Sequence, residues 1–251
     1  MYNFLRSVKR VLSQVRFFVT FPLILPSYLQ YVRKDAKKRF PIPFSSVQPI
    51  LFENIPFTRF DTHYIYHTAW AARKVREIDA PVHVDISSSL YFSSIVSAFK
   101  PVKFFDFRPA KLNLSNLSSS AANLSYLEFP DDSFESLSCM HTVEHVGLGR
   151  YGDKIDPEGD VQAAKELERV VAHGGNLLFV VPIGKPRIQF NAHRIYSYKM
   201  VIDMFPGLTL KEFSLIPDNA LQVGMVYNAT EAQSDKQLYG CGCFWFTKET
   251  K

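Results

Sequence analysis

From residue 81 onward, short apolar runs alternate with stretches whose apolar positions recur every three to four residues. Runs of four to nine apolar residues bounded by Gly, Pro or Asp read as buried strands, and the longer periodic stretches read as helices. The pattern predicts strands over Val82–Ile86, Val102–Phe107, Leu137–Met140, Asn176–Val181, Leu208–Leu215 and Tyr239–Thr247, with a further short one near Leu124–Leu127. It predicts helices over Leu90–Phe99, Asp160–Ala172 and Tyr198–Met204. Another helix starts at Asp61, a plausible N-cap, and carries an aromatic face with Tyr64, His67 and Trp70. Strands alternating with helices imply a largely parallel sheet covered on both faces.

The first 60 residues break this rhythm. Residues 3–19 place Phe4, Leu5, Val8, Val11, Leu12, Val15, Phe18 and Val19 at helical spacing, with Arg6, Lys9, Arg10 and Arg16 between them. Such a basic amphipathic helix either docks on the domain or lies in a membrane interface. Four prolines among aromatics between Phe40 and Phe60 rule out a regular helix there and predict an extended arm over the domain. The expected division is therefore an extension at 1–60 and a domain at 61–251.

Charge sharpens that division. Residues 1–39 hold nine cationic side chains against Asp35 alone, so a segment at +8 leaves −3 of the chain's net +5 for everything after it. Basic character confined to one end argues against a nucleic-acid-binding face and for contact with anionic lipid or an acidic partner through residues 1–39. The apolar stretch at Phe17–Pro26 is too short to span a bilayer and is interrupted by Pro22 and Pro26. Three cysteines make no disulfide framework, which fits a cytoplasmic protein, at most peripheral at the inner face of the membrane. Cys241 and Cys243 would share one face of a strand, but no His or Cys lies near them in sequence, so no metal site is expected. The His63–His67 spacing fits one helix face without an evident third ligand.

Ligands of open α/β sheets bind beyond the carboxyl ends of the strands, where strand order reverses. The first strand ends in Asp85-Ile86-Ser87-Ser88-Ser89. Asp85, Ser87 and Ser88 form either an altered cofactor loop ahead of a helix N-terminus or a cluster of N-caps. Asp106, at the end of the second strand, is placed to accept hydrogen bonds from a ribose diol, and Asn123 falls where an amide could meet an adenine edge. Strand four runs into Glu144-His145, either a general base with its partner or a brace for the loop. His193 is a second candidate for orienting an acceptor. The long loop Gly147-Leu-Gly-Arg-Tyr-Gly-Asp153 offers Arg150, Tyr151 and Asp153 to a polar acceptor, and Arg187 and Arg194 add positive charge after strand five.

The segments His83-Val84-Asp85, Glu144-His145-Val146-Gly147-Leu148-Gly149-Arg150-Tyr151-Gly152-Asp153 and Phe190-Asn191-Ala192-His193-Arg194 resemble a family of uncharacterised proteins with nematode and bacterial members. That family looks like a divergent branch of the class I S-adenosylmethionine-dependent methyltransferases. The resemblance implies an α/β, Rossmann-like, seven-stranded, mostly parallel sheet and S-adenosylmethionine as cofactor. Its bacterial members imply a hydroxylated sugar acceptor, a glycan or glycan precursor of surface-polysaccharide synthesis methylated on oxygen, and the basic residues after strand five point to an anionic one. A non-catalytic protein that binds a glycan or a protein partner on the same fold is the other reading, since fold does not fix function.

Overall fold

The computed structural model describes residues 19–250, which form two compact units divided at Arg59/Phe60. The expected amphipathic helix lies, up to residue 18, outside the described residues. In the first unit residues 19–34 are helical (α1), running through Pro22 and Pro26, each of which forgoes one backbone hydrogen bond. The following segment carries a single 3-10 turn at Phe44–Ser46. Within this unit Phe21 meets Phe44 edge-on at 4.8 Å, and the Tyr28 hydroxyl donates to the Ile42 carbonyl. Among the described residues no helix is long and apolar enough to cross a membrane.

The second unit is built on a seven-stranded sheet. Its strands are β1 (His83–Ile86), β2 (Val102–Asp106), β3 (Leu117–Ala121), β4 (Phe134–Met140), β5 (Val171–Ile183), β8 (Thr209–Ile216) and β9 (Gly240–Thr247). The order across the sheet is β3-β2-β1-β4-β5-β9-β8. The first five are parallel neighbours; β9 runs antiparallel to both β5 and β8. A two-stranded hairpin, β6 (Arg187–Gln189) with β7 (His193–Ile195), stands apart at the end of β5. The helices are α2 (Thr62–Ile78), α3 (Leu90–Val96), α4 (Gly159–Val170), α5 (Tyr198–Asp203), α6 (Ala220–Val223) and α7 (Glu231–Ser234). The expected α/β class and mostly parallel seven-stranded sheet are what the chain forms.

Each sheet face has its own apolar layer, and period-two alternation assigns residues to them. On β5, Leu177, Phe179 and Val181 join the layer under α4 and α5, while Leu178 and Val180 join the layer under α2 and α3. On β9, Phe244 and Phe246 take the first layer, and Cys241, Cys243 and Trp245 the second. The shared face expected for the two cysteines is thus present.

One strand is elsewhere than predicted. The third strand is Leu117–Ala121, with sequence LSSSA, and not Leu124–Leu127. It lies at the sheet edge with one neighbour, so only Leu117 is buried and no apolar run marks it. Leu124 and Leu127 are core residues all the same, held in a turn where the Leu127 N–H donates to Glu166. α2 begins as predicted: Asp61 caps it by accepting from the Tyr64 N–H at 3.2 Å. Glu212 on β8 fixes its register, accepting from Trp70 Nε1 at 2.9 Å and pairing with Lys74. This packing sets the first turn of α2 beside the carboxyl end of β4.

Candidate active site

The strand order reverses between β1 and β4, and the chain leaves both strands through left-handed residues. Ser87 has φ 61° and His141 has φ 54°. The Ser87 N–H donates to the Phe105 carbonyl at 2.7 Å, and Thr142 Oγ1 donates to the Ser87 carbonyl at 2.7 Å, so the two strand ends are tied together. Between them and β2 opens a cavity whose walls include Ser87, Asp106, Asn123, Thr142, His145 and Tyr151. Asp106 Oδ1 accepts from the Arg108 backbone N–H at 2.7 Å. The other carboxylate oxygen has no protein hydrogen bond among the described residues. Asn123 Oδ1 accepts from the Ser125 N–H at 3.0 Å, leaving the amide nitrogen to donate elsewhere. Ser87, Asp106 and Asn123 therefore do meet in one cavity.

A second cavity adjoins it, and Ser87, His141, His145 and Tyr151 line both. Its further walls include Asp61, His63, Tyr64, Glu144, Arg150, His193, Asp218 and Tyr239. His145 stands at the junction. Its Nδ1 is 2.6 Å from the Ala192 carbonyl, which fixes the proton on Nδ1 and the lone pair on Nε2. Burial lowers its pKa from the ordinary imidazole value, so the ring is neutral at neutral pH. Nε2 lies 3.8 Å from Glu144 Oε1. His193 is neutral for the same reason, burial, and its ring centroid is 6.4 Å from that of His145. Tyr151 is flanked by two guanidinium groups, Arg108 at 4.6 Å and Arg150 at 5.1 Å from the ring centre.

Several predicted residues have other employment. Asp85 lines neither cavity: it is fully buried beneath them, accepting from Ser138 Oγ at 2.7 Å and from Ser93 Oγ. Burial raises its pKa to about 6. Ser88 reaches the second cavity rather than the first, and its Oγ accepts from the Met140 N–H. Glu144 is 1% exposed and accepts from His141 Nδ1 at 2.9 Å. Asp153 sits in the first cavity wall, but its carboxylate is taken by the Gly147, Gly149 and Tyr151 N–H groups. Those three donors outweigh burial and hold its pKa below the usual value. The expected positive cluster does not form. Arg194 is 5% exposed and clamps the Val146, Asp156 and Pro157 carbonyls together with Asp160. Arg187 is exposed on β6 and lines neither cavity. Of the three arginines expected to bind an acceptor, Arg150 alone faces the second cavity.

Sequence reasoning missed the contribution of α2. His63 and Tyr64 lie against His141, with centroids 5.5 and 5.4 Å away, and His67 meets it edge-on at 5.0 Å. The aromatic face of α2 was visible; its partner, a residue at a strand end far along the chain, was not.

A family profile described as "Caenorhabditis protein of unknown function, DUF268" matches residues 110–237, just over half of the 251 residues. The chain belongs to this family. The part matched to DUF268 holds Glu144, His145, the Gly147–Asp153 loop, His193 and Arg194, whereas His63, Ser87, Asp106 and Cys241 fall outside it. No curated protein matches this DUF268 chain with significance. Among solved structures it is similar to the 1,6-didemethyltoxoflavin-N1-methyltransferase of Burkholderia thailandensis, crystallised with bound 1,6-didemethyltoxoflavin and S-adenosylhomocysteine. Identity there is 10% over 73% of this chain and 78% of the other, with a TM-score of 0.53. It is similar to the YcgJ protein of Bacillus subtilis at 13% identity over 74% of this chain and 100% of the other, TM-score 0.50. It is similar also to the [4+2]-cyclase SpnF at 12% identity over 73% and 80%, TM-score 0.50. At these identities the likeness is one of fold, the class I methyltransferase fold, which a cyclase shares.

Proposed function

We propose that this chain is an S-adenosylmethionine-dependent methyltransferase acting on a hydroxyl of a glycan or glycan precursor. The observation that carries the reading is the junction of two cavities at one neutral histidine, His145. The residues present fit the cofactor. Ser87 keeps the left-handed turn that a glycine ordinarily provides after this strand, and Asp106 keeps one carboxylate oxygen free for a ribose diol. Ser87, Asp106 and Asn123 would hold it. When bound, S-adenosylmethionine supplies a methyl group on a positively charged sulfur.

His145 Nε2 accepts the proton of the acceptor hydroxyl as that oxygen gains the methyl group, and then releases it to solvent. The Glu144 carboxyl at 3.8 Å favours the imidazolium that forms. Much of the acceleration comes from alignment of the hydroxyl in the second cavity. There Asp61 and Arg150 offer hydrogen bonds, and Tyr64 and Tyr239 offer ring faces, a mixture suited to a sugar. A single arginine in that wall, Arg150, itself donating to the Ala192 carbonyl, supports a neutral or weakly charged acceptor rather than a strongly anionic one.

Calorimetric titration with S-adenosylmethionine and S-adenosylhomocysteine tests the first half of the reading. Micromolar binding of both is expected, followed by transfer of a labelled methyl group to glycan acceptors. His145→Gln should keep the cofactor affinity and lose turnover by roughly a hundredfold or more. No heat and no thermal stabilisation with either ligand would favour a glycan-binding protein on this fold, the reading that the serine run Ser87–Ser89 favours.

A further inference from the structure

The carboxyl end of β4 gathers nitrogen and sulfur donors that methyl transfer does not use. They come from three distant segments: His63 from the first turn of α2, His141 just after β4, and Cys241 from the start of β9. One donor atom of each lies within 4.8 Å of the other two, and His141 Nε2 is 3.4 Å from Cys241 Sγ. Zinc bonds of about 2.0–2.3 Å set tetrahedral donors roughly 3.5 Å apart. The His141–Cys241 pair already has that spacing, and His63 needs a side-chain shift of about 1 Å to match it.

The surroundings support the same reading. His141 Nδ1 bonds Glu144 Oε1 at 2.9 Å, so a neutral His141 carries its lone pair on Nε2, the atom next to Cys241. The His63 ring is held by stacking on Tyr239, with centroids 5.1 Å apart. The carboxylate behind the His141 imidazole is the support that metal-binding histidines have. Glu144 Oε2 and His67 Nε2 are both buried without a hydrogen-bond partner. Two imidazoles with one thiolate are a borderline-soft donor set, which favours zinc over magnesium or calcium.

We propose that His63, His141 and Cys241 bind a zinc ion whose fourth coordination position opens to the second cavity. His63 and His141 line that cavity, and Cys241 is fully buried behind them. On binding, the Cys241 thiol gives up its proton to solvent, and the thiolate and two neutral imidazoles form the bonds to the metal. The proposal stands apart from methyl transfer, because its readout is metal binding itself.

The test is titration of the chelator-treated full chain with cobalt(II), followed by zinc. A thiolate-to-cobalt charge-transfer band should saturate at about one equivalent and vanish on adding zinc. It should be lost in Cys241→Ser and kept in Cys139→Ser and Cys243→Ser. His63→Gln should weaken cobalt binding at least tenfold, and it carries the test if Cys241→Ser fails to fold by circular dichroism. No band in the folded wild-type chain, a band that survives Cys241→Ser, or unchanged affinity in His63→Gln would overturn the proposal.

Discussion

Ser87 is a serine in a backbone conformation that favours glycine, at a cost of about 1 kcal/mol. Its Oγ recovers part of this through a 3.2 Å bond to the Phe105 carbonyl. Ser87→Gly should therefore raise the unfolding free energy by up to about 1 kcal/mol in urea titrations and leave cofactor affinity equal or tighter. Weaker binding would make the hydroxyl itself a ligand. Asp106→Ala should weaken S-adenosylmethionine binding by tenfold or more with little change in stability, read by calorimetry and melting; an unchanged affinity removes Asp106 from the site. Ser87 and Asp106 were legible because strand-end position alone brings them to the ligand edge, whereas Asn123 reaches it because the third strand is Leu117–Ala121, just before it, and not the expected run that follows it. Asp85 was not legible. All four residues of β1 are buried, so nothing in their alternation tells an inward carboxylate from one facing the cavity.

At the scale of elements, the Gly147–Asp153 loop is organised by its last residue. Asp153 accepts three backbone N–H groups, and Gly147 and Gly149 take left-handed φ values of 80° and 70° to present two of them. Asp153→Ala should speed hydrogen exchange at the Gly147, Gly149 and Tyr151 amides while global stability falls by only about 1 kcal/mol. Slow exchange in that variant would show the loop is held from elsewhere. Arg194 on β7 clamps carbonyls on both flanks of this loop, Val146 before it and Asp156 and Pro157 after it, so Arg194→Met should cost about 3 kcal/mol in urea unfolding, with the Asp160 charge left to the Tyr196 hydroxyl alone. The parallel core strands were plain in the sequence because burial on both faces writes them as apolar runs. β3 was not, being a polar edge strand, nor was the β6–β7 hairpin, whose residues are mostly exposed. The clamp on Arg194 and the contact of α2 with His141 depend on packing that no local pattern encodes.

For the molecule as a whole, buried titratable groups set the response to acid. Burial holds His83 down to about 3 and His67 well below its ordinary value, so both are neutral in the folded state. The unfolded chain protonates them near 6.5, and stability is lost as pH falls below that value. Asp85, raised to about 6, has the opposite sign: between about 4 and 6 the folded state binds its proton and the unfolded state does not, so its contribution favours folding as pH falls. For these three groups alone, one proton from each histidine less one from Asp85 leaves a net of about one, or about 1.4 kcal/mol per pH unit, and His63, held down to about 4 by burial, adds to the loss. Asp85→Asn should steepen the acid loss of stability in that window by about the same amount, and His83→Gln should flatten it, measured by urea unfolding between pH 4.5 and 7. Equal slopes in all three proteins would mean that Asp85 and His83 titrate alike in both states.

The insertion of β9 between β5 and β8 bears on how the chain is made. On the ribosome β8 emerges before β9, its neighbour in the sheet, and β5 waits with one edge open. Until residues 240–247 clear the exit tunnel, two strand edges stand exposed to neighbouring chains, and neither Tyr239 nor Cys241 has reached the histidines. The nascent protein is thus prone to misassociation in the interval between the emergence of β8 and that of β9, and its candidate centre cannot assemble before β9 arrives.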